Sequence, residues 1–240
     1  MNFLVKLNQW ICICALFVIE VTPNVLDIKP CNNADAKCVK ESTQAILPRL
    51  LAGVPELGIG KTDPLFLKRV DLSTGNLKLI LKDITVTGIK NCKVNKMERI
   101  ALKIKGRGIC DATIDGKYEM SGQLLILPVQ GKGRTHLVLR KVALSVDADL
   151  QEIEKDGKTH WDVKSWTHSY DVKEKSDLIF ENMFNGNQLL ARASTELFKT
   201  NWKEVTKELG PPLMKAILQH VVDNANNLFH TIPINELILS

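Results

Sequence analysis

The sequence lacks the motifs and the composition on which most enzymes and nucleic-acid binders depend. It contains no Gly-x-Ser-x-Gly elbow, no Walker sequence, no His-Glu-x-x-His and no dinucleotide fingerprint. Aromatic residues make up only 5% of its 240 residues, and the basic residues, which leave a formal net charge of +5, form no dense block. Phosphate recognition needs a dense basic stripe with aromatic platforms. An enzyme and a nucleic-acid binder are therefore both disfavoured, and no catalytic residue or cofactor is expected.

No apolar run reaches the roughly 20 residues that a membrane helix needs, so no stable membrane insertion is expected. A shorter uncharged run, residues 10–19, follows Lys6 near the amino terminus. This layout predicts a secretory signal peptide over residues 1–22, with the cleavage site left open; the alternative is a buried amino-terminal helix. The remainder, residues 23–240, is then expected as one secreted, extracellular domain and as a monomer.

Cysteine is scarce once the predicted leader is removed, because only Cys31, Cys38, Cys92 and Cys110 remain. An even number in a secreted chain indicates two disulfides, although four cysteines allow three pairings. We favour local pairing, Cys31 with Cys38 and Cys92 with Cys110, since the first pair would close a short loop of turn-favouring residues. A zinc site is the competing interpretation; it is disfavoured because there is no CxxC and the histidines show no ligand spacing.

Apolar periodicity divides the rest of the chain into a helix, a series of strands and a helical tail. A loose helical pattern, interrupted by Pro48, covers about residues 36–52 and is followed by a Gly- and Pro-rich loop. The next hundred or so residues alternate with period two, which predicts half-buried antiparallel strands with one charged face. Two examples are Leu77, Leu79 and Leu81 between Lys78 and Lys82, and Ile100, Leu102 and Ile104 among Arg99, Lys103 and Lys105.

The longest alternating stretch, residues 137–150, changes its apolar parity from odd to even at Arg140 and Lys141. A bulge there is the simplest way to keep one face inward. Asp156 and Gly157 then predict a hairpin.

The last 55 or so residues change to helical spacing. Residues 189–209 predict a helix, Gly210, Pro211 and Pro212 are expected to break or kink it, and residues 213–229 resume it. Strands followed by a helical tail predict an α+β fold whose sheet wraps or packs on that tail.

Two clusters allow a chemical and a structural interpretation. Gly131 and Gly133 could cradle a phosphate, but a loop leading into the strand at Leu137 is favoured. His160, Asp162 and His168 could form an acid–base cluster, but packing among Trp161, Trp166 and Tyr170 explains the group more simply.

Three motifs in order resemble those of the insect takeout and juvenile-hormone-binding protein family, over essentially the whole mature chain. The first is Cys31 and Cys38 before a helix, followed by Gly53-Val54-Pro55-Glu56-Leu57-Gly58-Ile59 and Asp63-Pro64-Leu65; the others are Leu127-Pro128-Val129-Gln130-Gly131-Lys132-Gly133 and Glu181-Asn182-Met183-Phe184-Asn185-Gly186-Asn187. The resemblance implies a curved antiparallel sheet rolled around a long carboxy-terminal helix, a lipid-binding super-roll with an internal hydrophobic tunnel. No cysteine follows Cys110, whereas the hormone carriers of the family typically have a late second pair, and this departure favours the takeout branch.

The function expected from the resemblance is transport of a small elongated hydrophobic ligand, such as a terpenoid, fatty acid or quinone. The alternatives are a membrane-surface lipid-binding or lipid-transfer protein, which is disfavoured because no basic amphipathic helix with aromatic tips is evident, and a secreted hydrolase. The candidate lining residues are the inward strand positions and the inner face of the tail, and for each of them an ordinary core role is the alternative: Leu125, Leu127, Leu137, Leu139, Val142, Leu144, Phe180, Phe184, Leu197, Phe198, Trp202, Ile217 and Val221.

Overall fold

The computed structural model describes residues 26–239, and the predicted signal peptide lies outside the described residues. Four α-helices and six strands make up the described part of the chain. The helices are α1 (Ala36–Ala52), α2 (Gln188–Thr200), α3 (Trp202–Thr231) and the short α4 (Ile234–Leu237). The strands are β1 (Leu65–Asp71), β2 (Leu77–Thr87), β3 (Lys93–Ile100), β4 (Lys103–Leu124), β5 (Leu127–Lys155) and β6 (Lys158–Phe180).

All six strands belong to one antiparallel sheet, in the order β1-β2-β4-β5-β6. Strand β3 pairs with the first part of β4, and β2 pairs with its second part, so the two short strands share one edge of β4. Strands β4, β5 and β6 have 22, 29 and 23 residues. Strands of this length are several times the usual 5 to 6 residues, and this long curved sheet rolls around α3.

Two local predictions on β5 are confirmed. The pairing of β4 with β5 runs from Cys110 opposite Val142 to Ala112 opposite Leu139, so that Arg140 and Lys141 together face one residue of β4. This is a β-bulge at the predicted position, and it lets the apolar residues before and after it face inward. At the end of β5, Asp156 and Gly157 have φ values of 52° and 72° and form the predicted two-residue hairpin.

Two other strand predictions are wrong in detail. Residues 99–105 span the hairpin between β3 and β4, with its turn at residues 101–102, and are not one alternating strand. Arg99 is buried, with 6% of its surface exposed, whereas Ile100 is 58% exposed, which reverses the predicted sidedness. Likewise, the segment around Gly131 is not a loop, because β5 already begins at Leu127.

The helical tail is confirmed, but its break is not where it was expected. The chain leaves helical geometry at Asn201, between α2 and α3, and α3 then continues through Gly210, Pro211 and Pro212. Its 30 residues span about 45 Å. The side chains of both prolines are at least partly solvent-exposed. The carbonyl oxygens that lose helical donors there therefore lie on the outer side of the helix, where water can replace the missing hydrogen bonds.

Both predicted disulfides, Cys31 with Cys38 and Cys92 with Cys110, are present. The first joins Cys31 to Cys38 in the first turn of α1, whose N-cap residue Asp35 accepts a hydrogen bond from the Cys38 N–H at 3.0 Å. Cys31 also pairs with the last residues that the structure describes. The Cys31 N–H donates to the Leu237 carbonyl oxygen, and the Leu239 N–H donates to that of Cys31, each at 3.2 Å.

The buried apolar side chains form two groups on either side of a cavity. The larger group joins β1, β2, the second half of β4, the first half of β5 and the last part of β6 with α2 and the first half of α3. The smaller group lies under α1 and the loop after it and includes Leu228 near the end of α3. No helix among residues 26–239 is long and apolar enough to cross a membrane.

Candidate ligand-binding cavity

A cavity of about 330 Å³ lies between α1, the second half of α3 and the part of the sheet formed by β3 and the adjoining ends of β4, β5 and β6. Each helix contributes one face. Positions 39, 43, 46 and 50 of α1 and positions 218, 221, 222 and 225 of α3 follow the spacing of three and four that places residues on one side of a helix. The volume falls at the lower end of the range of small-molecule sites in proteins, roughly 300 to 1,000 Å³.

Small residues explain why the interior is open at this position. Gly106, Gly108, Ala148 and Ala225 all line the cavity. Gly106 and Gly108 lie opposite Val146 and Leu144 in the pairing of β4 with β5. A Cβ atom at Gly108 would come within 2.9 Å of the Lys93 carbonyl oxygen, so the close approach of β3 to β4 requires glycine there.

The polar side chains of the lining are mostly cationic. Lys29, Lys93, Arg99 and Arg107 line the cavity, and no Asp or Glu of the described residues does. Arg107 is neutralised by Asp147, whose carboxylate oxygen accepts a hydrogen bond at 2.6 Å. This pair raises the pKa of Arg107 and lowers the pKa of Asp147, chiefly through the hydrogen bond between them.

Arg99 differs from the other three because it is buried. One of its terminal nitrogens donates to Oδ1 of Asn33 at 3.2 Å, and the other has no partner in the described part of the protein. The guanidinium carbon lies 5.1 Å from the ring centroid of Trp161, within the range of a cation–π contact. Burial lowers the pKa of Arg99, because removal from water disfavours its charged form.

A second, much smaller gap of about 30 Å³ lies in the other half of the roll. It is enclosed by β2, β5, β6 and the first half of α3, where large side chains pack closely. Three of the residues predicted to contact ligand line this gap, namely Leu137, Leu139 and Phe180. Two others, Leu144 and Val221, line the large cavity.

The remaining predicted residues belong to the packed group around the gap. Val142, Phe198 and Ile217 are buried within it, and Leu125, Leu127, Phe184, Leu197 and Trp202 are partly buried against it. The structure thus gathers most of the thirteen residues in one half of the roll and places the larger opening in the other. Contact of any of them with a ligand stays a prediction. The cavity-lining residues that sequence analysis missed lie on both helices and on strands β3 to β6. The most important of them is Arg99, because period-two alternation assigned its charge to the outer face.

The two later sequence motifs lie against each other. Gly131 pairs with Met183, and the Tyr118 hydroxyl donates to the Glu181 carbonyl oxygen at 2.7 Å. A Cβ atom at Gly131 would lie 2.6 Å from that hydroxyl. Close approach of these two segments therefore requires glycine at position 131. This contact explains the residue, and a phosphate-binding role is not needed.

The acid–base cluster considered from the sequence does not assemble. Asp162 binds His230, whose Nε2 lies 2.8 Å from Oδ1, and this hydrogen bond is the main cause that lowers the pKa of Asp162. His160 donates through Nδ1 to the Phe229 carbonyl oxygen at 3.0 Å. Trp161 packs edge-on against Phe229 at 5.6 Å between ring centroids, so this end of β6 is fixed to α3 by packing and hydrogen bonds.

Comparison with known proteins agrees with this architecture. The chain is 22% identical to the circadian clock-controlled protein daywake of Drosophila melanogaster over an alignment of 247 residues. This alignment covers 97% of the chain and 94% of that protein. It is 19% identical to the daywake protein of Drosophila yakuba, over 87% of the chain and 86% of that protein. The crystal structure of takeout 1 from Epiphyas postvittana superposes with a TM-score of 0.85 at 28% identity, covering 89% of the chain and 100% of takeout 1. The sequence model of the haemolymph juvenile hormone binding proteins matches residues 10–239, and the chain therefore belongs to that family, as the three motifs predicted.

Proposed function

We propose that the protein is a secreted carrier that holds one elongated hydrophobic ligand per chain in the cavity between α1 and α3. The observation that carries this proposal is the cavity itself, about 330 Å³ in volume and lined mainly by apolar side chains. The family is one of hydrophobic-ligand carriers, which supports the same conclusion.

The energetics of such a site are favourable without any catalytic group. Removal of apolar surface from water contributes about 25 cal/mol per Å², or about 0.8 kcal/mol for each buried methylene group. Ten methylene groups would therefore contribute roughly 8 kcal/mol before the costs of association and ordering are subtracted. This suffices for retention of a lipid during transport.

Secretion is supported by two features. The two disulfides are of the kind that persists in oxidising compartments. The uncharged residues 10–19 after Lys6 have the layout of a signal peptide.

The test is native mass spectrometry of protein purified from its own tissue, followed by delipidation and titration with terpenoids, fatty acids and quinones. We expect one bound lipid per chain, and rebinding at a single site with a negative heat-capacity change. Protein that arrives empty and takes up none of these lipids would overturn the proposal.

A further inference from the structure

Arg99 carries a charge that the described residues do not neutralise. Its side chain lines the cavity and is 6% exposed, yet its only hydrogen-bond partner among residues 26–239 is the neutral amide of Asn33. The nitrogen that does not face Asn33 is buried and unpaired within those residues. A buried cation without a counter-ion is costly, and such groups are normally paired.

Trp161 adds a second unsatisfied donor at the same place. Its ring stacks against the Arg99 guanidinium and also lines the cavity. The indole Nε1, which can only donate, is buried and has no acceptor among the described residues. Two contacting side chains thus present free N–H groups in a lining where acceptors are few.

The surrounding charge favours an anion. Besides Arg99, the lining holds Lys29, Lys93 and Arg107, and no acidic residue of the described chain. Arg107 already has a counter-ion, the carboxylate of Asp147. The buried cation that lacks a counter-ion among the described residues is therefore Arg99. A guanidinium presents two parallel donors that match a carboxylate better than a hydroxyl, an ester or a ketone.

We propose that Arg99 binds the carboxylate of a single-chain lipid acid, whose tail extends along the apolar lining between α1 and α3. This inference rests on the proposed carrier function and specifies the chemical class of its ligand. The modest volume of about 330 Å³ favours one acyl or terpenoid chain over the two chains of a phospholipid. Trp161 donates to the same headgroup or to a water molecule bound to it.

The experiment compares lipids that differ only at the headgroup. Delipidated protein is loaded with the neutral fluorescent probe N-phenyl-1-naphthylamine, which is then displaced by palmitic acid, methyl palmitate, hexadecanol or 1-palmitoyl lysophosphatidic acid. We expect palmitate to bind at least about tenfold more tightly than methyl palmitate or hexadecanol, because a hydrogen bond between two charged groups that are shielded from water contributes roughly this much binding free energy. Arg99→Met should remove this preference and leave the affinity for methyl palmitate within about threefold of its original value.

Arg140→Met is the control, because Arg140 is also an arginine of the sheet paired with a carboxylate, that of Asp177, but does not line the cavity, and it should keep the preference for palmitate. The comparison of lipids on the unmodified protein needs no variant and tests the preference for a carboxylate itself; if Arg99→Met does not fold, Arg99→Gln tests whether that preference depends on Arg99. Equal affinity for palmitate and methyl palmitate, or a preference that survives in Arg99→Met, would overturn the inference and leave the carrier function intact. Tighter binding of the lysophospholipid than of palmitate would overturn the choice of a carboxylate. Failure of both the probe and every lipid to bind would overturn the carrier function as well.

Discussion

The ring of Tyr170 on β6 lies directly against the backbone of Gly210 in α3. A Cβ atom at Gly210 would come within 2.7 Å of the ring carbon Cζ and nearer still to the hydroxyl oxygen. That hydroxyl donates to the Thr206 carbonyl oxygen at 2.9 Å, one turn earlier in the helix. The sheet and the long helix are therefore joined where the helix has no side chain. Tyr118 and Gly131 repeat the arrangement within the sheet, with the Glu181 carbonyl oxygen as acceptor.

Replacement of Gly210 by alanine tests this contact. Helix propensity alone predicts that alanine stabilises a helix interior by about 1 kcal/mol relative to glycine. The overlap with Tyr170 predicts the opposite, a loss of about 1 to 3 kcal/mol, because the ring has to move and its hydrogen bond is broken. Urea unfolding measures the difference. Gly60→Ala is the control, since the nearest atom to its added Cβ is 3.8 Å away, and it should change stability little. A Gly210→Ala protein more stable than the original would contradict the assignment.

The ionisation of tyrosine gives a second prediction. The chain has only two tyrosines, and burial raises the pKa of both Tyr118 and Tyr170 to about 12, with the charge of Glu181 adding to the effect at Tyr118. Since these folded-state pKa values exceed the ordinary value of 10, the neutral phenols contribute stability below pH 10, and this contribution is lost as the pH rises towards 12.

Phenolate absorbance should therefore appear near pH 12 in the native protein and near pH 10 in urea, where the ordinary value applies. Circular dichroism recorded alongside shows whether the fold persists. A native titration centred on pH 10 with unchanged circular dichroism would show that the phenols are not buried.

Leu139 and Leu144 provide a matched pair for the cavity, because they lie on β5 on opposite sides of the bulge. Leu144 lines the large cavity, whereas Leu139 lines the narrow gap. Leu144→Trp should fill open volume, abolish lipid uptake and leave the melting temperature nearly unchanged. Leu139→Trp should instead overpack the core and lower the free energy of unfolding by about 1 to 3 kcal/mol. Probe displacement and thermal unfolding are measured for both variants. Unchanged uptake by folded Leu144→Trp would remove this cavity from the functional account.

Asn224 joins α3 to the loop that follows α1, and this contact gives a fourth prediction. Its buried amide donates to the Gly60 carbonyl oxygen and to Thr62 Oγ1, each at 2.7 Å, and accepts from the Gly60 N–H at 3.0 Å. Asn224→Ala leaves these groups unpaired and should lower the free energy of unfolding by about 3 kcal/mol. Asn227→Ala is the control, since Asn227 is exposed and its side chain, among residues 26–239, bonds only the Gly58 carbonyl oxygen, at 2.9 Å. The loss of this bond should cost less than about 1 kcal/mol. Equal effects in urea unfolding would contradict this role.

Sequence patterns predicted the features that depend on neighbouring residues. The bulge at Arg140 and Lys141 followed from a change of parity, and the hairpin at Asp156 from turn chemistry, and both are confirmed. The sequence predicted a break or kink at Gly210, Pro211 and Pro212, and the break is wrong, because α3 continues through these residues. The glycine at position 210 is explained instead by tertiary contact with Tyr170, which sequence patterns do not reveal.

Arg99 could not be assigned from sequence for a related reason. Alternation assumes that charge faces water, and the burial of this charge depends on Trp161 and Asn33, which are more than 60 residues away in either direction. The position of the cavity likewise depends on small residues such as Gly106 and Ala225, which come together only in the folded chain.

The pairing of Cys31 with Leu237 and Leu239 has a consequence for the order of assembly. Cys31 and Leu237 both line the cavity, and they stand near opposite ends of the described chain. During synthesis this part of the wall cannot close until residues 237–239 have left the ribosome, and contacts between such distant residues carry the largest loop-closure cost. The wall therefore stays open at this edge while the strands of the sheet are already able to pair, and a cargo molecule can be enclosed there only after residues 237–239 have been synthesised.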